Sequence, residues 1–566
     1  MNRPLHATTE NPALAAFDIS NYRGVRGRNF FDEDRLLQRI VKQHAAGLAP
    51  AHRDALVGHL QAYGELVGGV LDELTEKSHR EDKYGYVVQY DRTGNRIDEV
   101  VYSPEQKEAR RISYEHGIVN LDFHPEWKHD FTMTHRMALA YLANMNGEGG
   151  VTCPLAMTDG MIRVLKALGT QEQKQRYLPL VAGPGSASHF MCGQYVTERV
   201  GGSNVGQNRT VARSIGNDRW ILTGEKWFCS NPGDLWVTTA RIENTNTIGM
   251  FLVPRIKRDG TLNGCRILRK KDIIGSRGKI TVEVVYDELE AETLGRPAHG
   301  LANLIRYVIN TSRVHVSVAA CGMSRRAFME ARAYVDVREA YGKKVIEFPT
   351  VKKALAEMQI LHSSVVWNSF RTYTLADQGH AAASLLTPLL KLKSTLHSSW
   401  ITHEAMMLHG GNGILGDFSC LPRLHNDSLI NETWEGTHQI MSEHILKAFL
   451  RPKVRSAFFD LVEANLKQAK DVSNVTMEAL GARRKFLDQS LNADHAWRDL
   501  NRMSICDAIY DVFSLSEWIA QTADGEPVMQ DMARGYAELC SRGVQGPTWP
   551  DGVFQDEAAL SRLIAY

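Results

Sequence analysis

A β-rich stretch stands between two long helical stretches, and this arrangement restricts the possible folds most strongly. From about His189, short runs rich in Val, Ile, Trp and Phe are divided by Gly, Asn and Asp, which predicts strands and turns. Before and after these runs, apolar residues recur at helical intervals. A chain of 566 residues is long enough for several domains. We therefore predict an α+β fold with an N-terminal helical domain (1–185), a middle β domain (186–293), a helical bundle domain (294–450) and an additional C-terminal helical domain (451–566).

The N-terminal domain contains several local patterns. Met1–Phe31 is polar and is predicted to be an arm that lies on the domain. Asp32–Ser78 has apolar residues at helical spacing and predicts two helices. Tyr84–Tyr102 has two β-rich runs around a turn that contains glycine, which predicts a small β-hairpin. Thr170, followed by Gln173, has the pattern of a helix N-terminus.

Composition and charge argue against several classes of function. The formal net charge of +1 gives no global field that favours nucleic acid or an anionic membrane. The eight cysteines form no CxxC pair, so neither a zinc site nor a disulfide framework is predicted. Met1–Ser20 lacks the basic start and apolar run of a signal peptide, and no uninterrupted apolar run reaches the length of a membrane span. We expect a soluble cytoplasmic protein with no metal site and no contact with a membrane.

The segment Ser428–Met441 contains the sequence Trp434-Glu435-Gly436-Thr437, which places a carboxylate between an aromatic ring and a glycine. Apolar residues at helical spacing predict a helix from Thr437 to Phe449, with Glu435 near its first turn. Backbone N–H groups are unpaired there, and the adjacent glycine lets a ligand approach the backbone closely. Taken alone, the segment fits a helix-capping carboxylate as well as a functional one.

The segment resembles the catalytic segment of the acyl-CoA dehydrogenase family, which usually reads (Y/W)EGT. Four further stretches resemble family motifs, in family order and at about family spacing: Gly193–Val205, Gly224–Asn231, Arg338–Lys343 and His409–Gly413. Each motif is weak alone, but five in order over roughly residues 125 to 450 are a strong signal. The hairpin sequence and the long N-terminal and C-terminal parts resemble the AidB-type branch of alkylation-response flavoproteins. The architecture expected from this resemblance agrees with the predicted domains.

The resemblance implies an FAD site. The family motifs place Thr197 against the flavin, Phe228 and Ser230 at its face and edge, and Arg338 at the FAD pyrophosphate of a neighbouring subunit, where a guanidinium suits phosphate oxygens. The cofactor-binding residues implied in this way are Gln194, Val196, Thr197, Gly202, Ser203, Phe228, Ser230, Arg338, His409, Gly410, Gly411, Thr437 and Gln439. The sequence departs from the family at Asn204, where aspartate is usual, and at Pro349, where glutamine is usual; the AidB-type branch shares that proline.

The resemblance also implies a reaction, the α,β-dehydrogenation of a fatty acyl-CoA to the trans-2-enoyl-CoA. Glu435 matches the family's catalytic base, while Ser203 and Gly436 with Glu435 are implied to bind the substrate. In a few members the base comes from an earlier helix, at a position that aligns with Ser312, and serine cannot serve as a carboxylate base. An electron-transferring flavoprotein is the implied electron acceptor, and the implied assembly is a homotetramer or a homodimer.

Two alternatives belong to other functional classes. The first is a flavoprotein associated with DNA, because proteins of the AidB-type branch use a basic C-terminal domain. Residues 451–566 contain 13 Lys and Arg against 17 Asp and Glu, a net charge of 13 − 17 = −4, which is a poor match to phosphate. Nucleic acid is therefore not the expected partner. The second alternative is a catalytically silent protein that binds acyl-CoA as a sensor, which the presence of Glu435 disfavours.

Overall fold

The computed structural model describes residues 22–149, 151–184, 189–470 and 472–566. Contacts divide these residues into two units, and we treat each unit by itself. The sheet unit comprises residues 48–319 and 433–440, and the bundle unit comprises the remaining described residues. The predicted boundary at residues 185 and 186, and the predicted arm up to residue 21, lie outside the described residues. Among the described helices, none is long and apolar enough to cross a membrane.

The helices before the β-rich stretch follow the predicted helical spacing. They are α1 (Arg35–Ala45), α2 (Pro50–Leu66), α3 (Asp72–Ser78), α4 (Pro104–Glu115), α5 (Met133–Asn144), α6 (Thr152–Leu168) and α7 (Gln171–Ala182). Thr170 caps α7 as predicted: its hydroxyl accepts from the Gln173 N–H, and the Gln173 side chain accepts from the Thr170 N–H in return. The predicted hairpin is confirmed as β1 (Tyr86–Tyr90) paired antiparallel with β2 (Arg96–Val101).

The second predicted helix of Asp32–Ser78 is interrupted. A π-helical turn, Val67–Leu71, separates α2 from α3, and Gly69 within it has φ −108° and ψ −107°. This backbone conformation lies outside the helical region, and a glycine pair is a common cause of such kinks. The apolar spacing continues through the glycines, so the spacing alone did not reveal the break.

The β-rich stretch forms the core of the sheet unit. Its strands are β3 (Cys192–Tyr195), β4 (Val211–Gly216), β5 (Arg219–Ser230), β6 (Leu235–Ile242), β7 (Ile248–Pro254), β8 (Cys265–Lys270) and β9 (Thr281–Thr293). Strands β4, β5, β9, β7 and β6 pair in that order and β6 pairs back with β4, so they close on themselves. Strand β3 pairs with β6, and β8 pairs with β9. Large side chains such as Trp236, Phe251 and Tyr286 pack inside.

The chain after β9 is helical apart from a two-residue hairpin, β10 (Glu339–Ala340) with β11 (Lys343–Lys344). The helices are α8 (Gly300–Asn303), α9 (Asn310–Val337), α10 (Pro349–Asp377), α11 (Ala383–Leu408), α12 (Leu421–Thr433), α13 (His438–Phe449), α14 (Pro452–Leu466), α15 (Asn474–Asn492), α16 (His495–Leu500), α17 (Arg502–Gln521), α18 (Pro527–Arg542) and α19 (Glu557–Ala565). Within the bundle unit, α10 packs against α11, while α15 and α18 pack against α17.

Several histidines are packed together in the helical part of the sheet unit. The His59 and His116 rings stack with centroids 4.1 Å apart, and His59 Nδ1 lies 2.9 Å from His135 Nε2. Burial, with a further contribution from His116, lowers the pKa of His59 to about 3. Burial lowers the pKa of His116 to about 4. The folded state therefore holds these rings neutral at pH values where the unfolded chain binds protons.

We expect this cluster to make the protein sensitive to acid. Because the folded pKa values lie below the unfolded value of about 6.5, stability is lost as the pH falls below that value. Between about pH 7 and about pH 5, each such histidine should cost roughly 2 kcal/mol of unfolding free energy. Replacing His116 with glutamine should reduce the acid-induced loss by about that amount in denaturant titrations. His495→Asn, at an exposed position, is the control and should leave the loss unchanged; equal losses in wild type and His116→Gln would contradict the prediction.

Candidate functional site

Glu435 lies in a tight turn between α12 and α13. Its φ is +56°, and that of Gly436 is +113°. Both values are in the left-handed region, which a helix excludes, so α13 begins only at His438. Glu435 therefore lies just before the first helical turn, near it as predicted, and the helix begins one residue later than Thr437. A non-glycine residue with positive φ is uncommon and carries a conformational cost, which the surrounding contacts must offset.

Two side chains from distant parts of the sequence donate hydrogen bonds to the Glu435 carboxylate. Gln194 Nε2 on β3 lies 2.8 Å from Glu435 Oε1, and Ser312 Oγ on α9 lies 2.8 Å from the same oxygen. Gln194 Nε2 also lies 3.2 Å from Ser312 Oγ. Arg313 Nε donates to the Glu435 backbone carbonyl at 3.2 Å. All four residues belong to the sheet unit, and together they fix both the side chain and the backbone of the turn.

The start of α9, which carries Ser312 and Arg313, is held by a buried carboxylate. Asp159 Oδ2 lies 2.9 Å from His315 Nε2, and Asp159 accepts hydrogen bonds from Arg136 Nη1 at 3.1 Å and Arg163 Nε at 3.0 Å. Burial raises the pKa of Asp159, but the two guanidinium groups and His315 outweigh burial and bring it well below its usual range. Asp159 is therefore a charged anchor that keeps the Ser312 hydroxyl in place.

The loop after β3 contains the predicted residues Val196, Thr197, Gly202 and Ser203. The Thr197 carbonyl accepts from the Trp227 N–H at 2.8 Å, and the Val196 carbonyl accepts from Lys226 Nζ at 3.3 Å. A Cβ at Gly202 would lie 2.5 Å from Thr197 Oγ1. Glycine therefore allows the two ends of the loop to pack this closely. Ser203 is exposed. The loop is therefore anchored at its base and open at its tip.

Phe228 and Ser230, which the resemblance assigns to the flavin, lie near the end of β5. The pairing of β5 with β9 shifts register between Lys226 and Cys229, so Trp227 and Phe228 lie in a bulge. The Phe228 side chain remains 48% exposed, and Lys271 Nζ lies 4.6 Å from the centroid of its ring. Ser230 Oγ lies 3.1 Å from Thr281 Oγ1 and presents a hydroxyl at the end of β5. A partly exposed aromatic ring on the same strand as a hydroxyl is compatible with packing against an isoalloxazine ring.

Arg338 and the loop that begins at His409 come together in the bundle unit. The His409 ring stacks on Tyr334, with centroids 4.3 Å apart, and Asn412 Nδ2 donates to Tyr334 OH at 3.1 Å. Tyr334 lies one helical turn before Arg338, whose N–H donates to the Tyr334 carbonyl. Gly410 has φ +58°, and Gly410 and Gly411 have open space where a Cβ would be. In the described chain the Arg338 guanidinium has no ion pair or hydrogen bond, which fits a phosphate ligand.

Two predicted cofactor residues lie after the Glu435 turn. Thr437 is exposed just before α13, and Gln439 is exposed in the first turn of that helix. Both residues, like Glu435 and Gly436, belong to the sheet unit.

The family resemblance assigns Gln194 to the cofactor site and treats Ser312 only as a position that lacks a carboxylate. Their shared contact with Glu435 had no local signal, because 241 and 123 residues of chain separate them from it.

Comparisons with known proteins agree with the motifs. Three family models match: the Adaptive response protein AidB N-terminal domain over residues 22–184, the Acyl-CoA dehydrogenase middle domain over 193–289 and the Acyl-CoA dehydrogenase C-terminal domain over 299–450. Acyl-CoA dehydrogenase family member 11 of Caenorhabditis elegans is 26% identical over 465 residues, which cover 78% of this chain and 74% of that protein. Putative acyl-CoA dehydrogenase AidB of Escherichia coli (strain K12) is 27% identical over 412 residues, which cover 68% and 75%.

A solved structure extends the likeness to the fold. The crystal structure of Caenorhabditis elegans ACDH-11 in complex with C11-CoA matches with a TM-score of 0.85 at 24% identity. The match covers 96% of this chain and 95% of that chain. The α+β fold predicted from the sequence, with helical, β and helical parts, is thereby confirmed.

Proposed function

The chain belongs to the acyl-CoA dehydrogenase family, and from this premise we propose that it converts a fatty acyl-CoA to the trans-2-enoyl-CoA with Glu435 as the base. The observation that carries the proposal is the held carboxylate of Glu435 within the sheet unit. Gln194 and Ser312 donate to one carboxylate oxygen and so orient the group that would accept the proton. Glu435 takes the α-proton as the electron pair of that C–H bond forms the new double bond.

The other residues of the sheet unit bind and orient. We propose that the Glu435 N–H donates to the thioester carbonyl, where negative charge develops. Ser203, at the open tip of the loop after β3, is the proposed contact to the CoA arm. Arg313, through its bond to the Glu435 carbonyl, keeps the turn from relaxing.

The cofactor of the protein is FAD. When bound, FAD supplies the oxidant that takes the hydride from the β-carbon. We propose that Thr197, Phe228 and Ser230 hold the flavin and that the remaining residues of the predicted set complete the site. Arg338 and the loop from His409 would bind the pyrophosphate and the far end of the FAD of a neighbouring subunit. An electron-transferring flavoprotein is the proposed electron acceptor, and a homotetramer or homodimer is the proposed assembly.

The test is anaerobic mixing of the FAD-loaded protein with straight and branched acyl-CoAs of increasing length. Loss of the flavin's visible absorbance is expected for at least one thioester, and deuterium at the α-carbon should slow it because that C–H bond breaks. Free CoA and the enoyl-CoA product are the controls and should not bleach the flavin. Binding of the whole panel without bleaching would favour the sensor alternative, and failure to bind any thioester would refute the proposal.

A further inference from the structure

Lys279 is a buried cation beside the Glu435 turn in the sheet unit. Lys279 is only 2% exposed, and its Nζ lies 4.6 Å from the centroid of the Trp434 ring. An ammonium over the face of an indole is attracted by the ring's quadrupole. Trp434 is the residue immediately before Glu435, so Lys279 contacts the segment that carries the proposed base.

The ammonium of Lys279 is poorly matched by the protein. Its only hydrogen bond among the described residues is to Thr281 Oγ1, at 3.3 Å, and it forms no ion pair there. By contrast, Lys226 Nζ lies 2.7 Å from Glu198, and Lys271 Nζ lies 2.7 Å from Glu283. A buried ammonium has three donors and is costly to leave unpaired. The Lys279 ammonium can therefore donate further hydrogen bonds, and contribute its positive charge, to a ligand that binds next to it.

A short chain of polar groups links Lys279 to the proposed flavin site. Thr281 Oγ1, which accepts from Lys279, lies 3.1 Å from Ser230 Oγ, the hydroxyl proposed to contact the flavin. Nearby charges also act on the thiol of Cys153. Burial raises the pKa of Cys153 to about 12; the positive charge of Lys279 opposes this rise, and the negative charges of Glu148 and Glu435 add to it. Lys279 therefore lies near both Ser230, through Thr281, and Trp434, the neighbour of the proposed base.

We propose that Lys279 stabilises the negative charge that FAD acquires on reduction and so raises the reduction potential of the bound cofactor. The inference rests on the proposed function. Oxidation of the acyl-CoA gives one proton to Glu435 and one hydride to FAD, so the negative charge of the hydride remains with the cofactor. A fixed positive charge nearby, in a site of low dielectric, favours that product and with it the forward reaction.

The test measures the potential of the bound FAD by equilibration with a redox dye, in the full-length FAD-loaded protein and without acyl-CoA. Lys279→Met should lower the ratio of reduced to oxidised cofactor at a given potential by about tenfold or more, which for two electrons is about 30 mV. Lys279→Arg keeps the charge and should stay close to wild type. Lys270→Met is the matched control, because Lys270 on β8 also lies in the sheet unit but donates to the Gly85 carbonyl.

An unchanged potential in FAD-loaded Lys279→Met would overturn the inference, and so would an equal shift in Lys270→Met. If the methionine variant does not fold, Lys279→Gln provides a second neutral side chain that can still donate to Thr281. Loss of FAD from both neutral variants but not from Lys279→Arg would support a need for the charge; loss from all three would point to packing and overturn it. Failure of the proposed function is distinguishable, since it appears in wild type as absent FAD or absent bleaching.

Discussion

Replacing Glu435 with glutamine is expected to abolish reduction of the bound FAD by acyl-CoA while acyl-CoA still binds. Glutamine keeps the size of the side chain and an oxygen that can accept from Gln194 and Ser312, but it cannot take up a proton. General-base catalysis contributes ~10²–10⁴-fold, and the loss should reach the upper end, because the carboxylate-free position at Ser312 offers no substitute. Anaerobic stopped-flow absorbance measures the rate, and the perturbation of the flavin spectrum by acyl-CoA measures binding.

Glu443→Gln provides a matched control for this experiment. Glu443 lies on α13, the helix that follows the Glu435 turn, and its carboxylate pairs with Lys447 on the protein surface. The control should reduce FAD at the wild-type rate. If Glu435→Gln did the same, Glu435 would be a structural residue of the turn, and the proposed mechanism would be wrong.

Local patterns predicted the parts of the structure that depend on neighbours in sequence. The capping box at Thr170 needs only two residues three positions apart, and the hairpin of β1 and β2 needs two short β-rich runs around a turn. The helix after Glu435 was also predicted to within one residue of its start. These features are encoded locally because one hydrogen-bonding pattern along the chain determines each of them.

Contacts between distant segments could not be predicted in this way. The resemblance identified Glu435, but not that Gln194 and Ser312 both bind one of its oxygens, since the fold decides which side chains meet. The packed histidines come from separate helices and turns, and nothing near His59 in the sequence indicates a stacked partner. The positive φ of Glu435 likewise depends on the contacts that hold the turn, because a glutamate alone favours negative φ.

Replacing Lys226 with methionine is expected to destabilise the sheet unit by about 3–5 kcal/mol, because it leaves the Glu198 carboxylate buried without its partner. The Lys226 and Glu198 side chains are 0% and 1% exposed, and Nζ lies 2.7 Å from Oε1. Burial alone would raise the pKa of Glu198. The charge of Lys226 and hydrogen bonds that include the one from the Arg209 N–H outweigh burial, so the pKa of Glu198 is lowered. Glu198 follows Thr197 directly, so FAD should also bind more weakly. Denaturant titration and FAD retention measure the two effects.

A pair one position away on the same two segments supplies the control. Arg199 Nε lies 2.9 Å from Glu225 Oε2, but these side chains are 56% and 30% exposed, and exposed pairs contribute only about 0–1 kcal/mol. Arg199→Met should therefore change stability little. The double variant Lys226→Met with Glu198→Gln removes both charges and should be more stable than Lys226→Met alone, because no unpaired charge remains buried. A double variant no more stable than the single one would show that Lys226 acts through packing of its side chain and not through its charge.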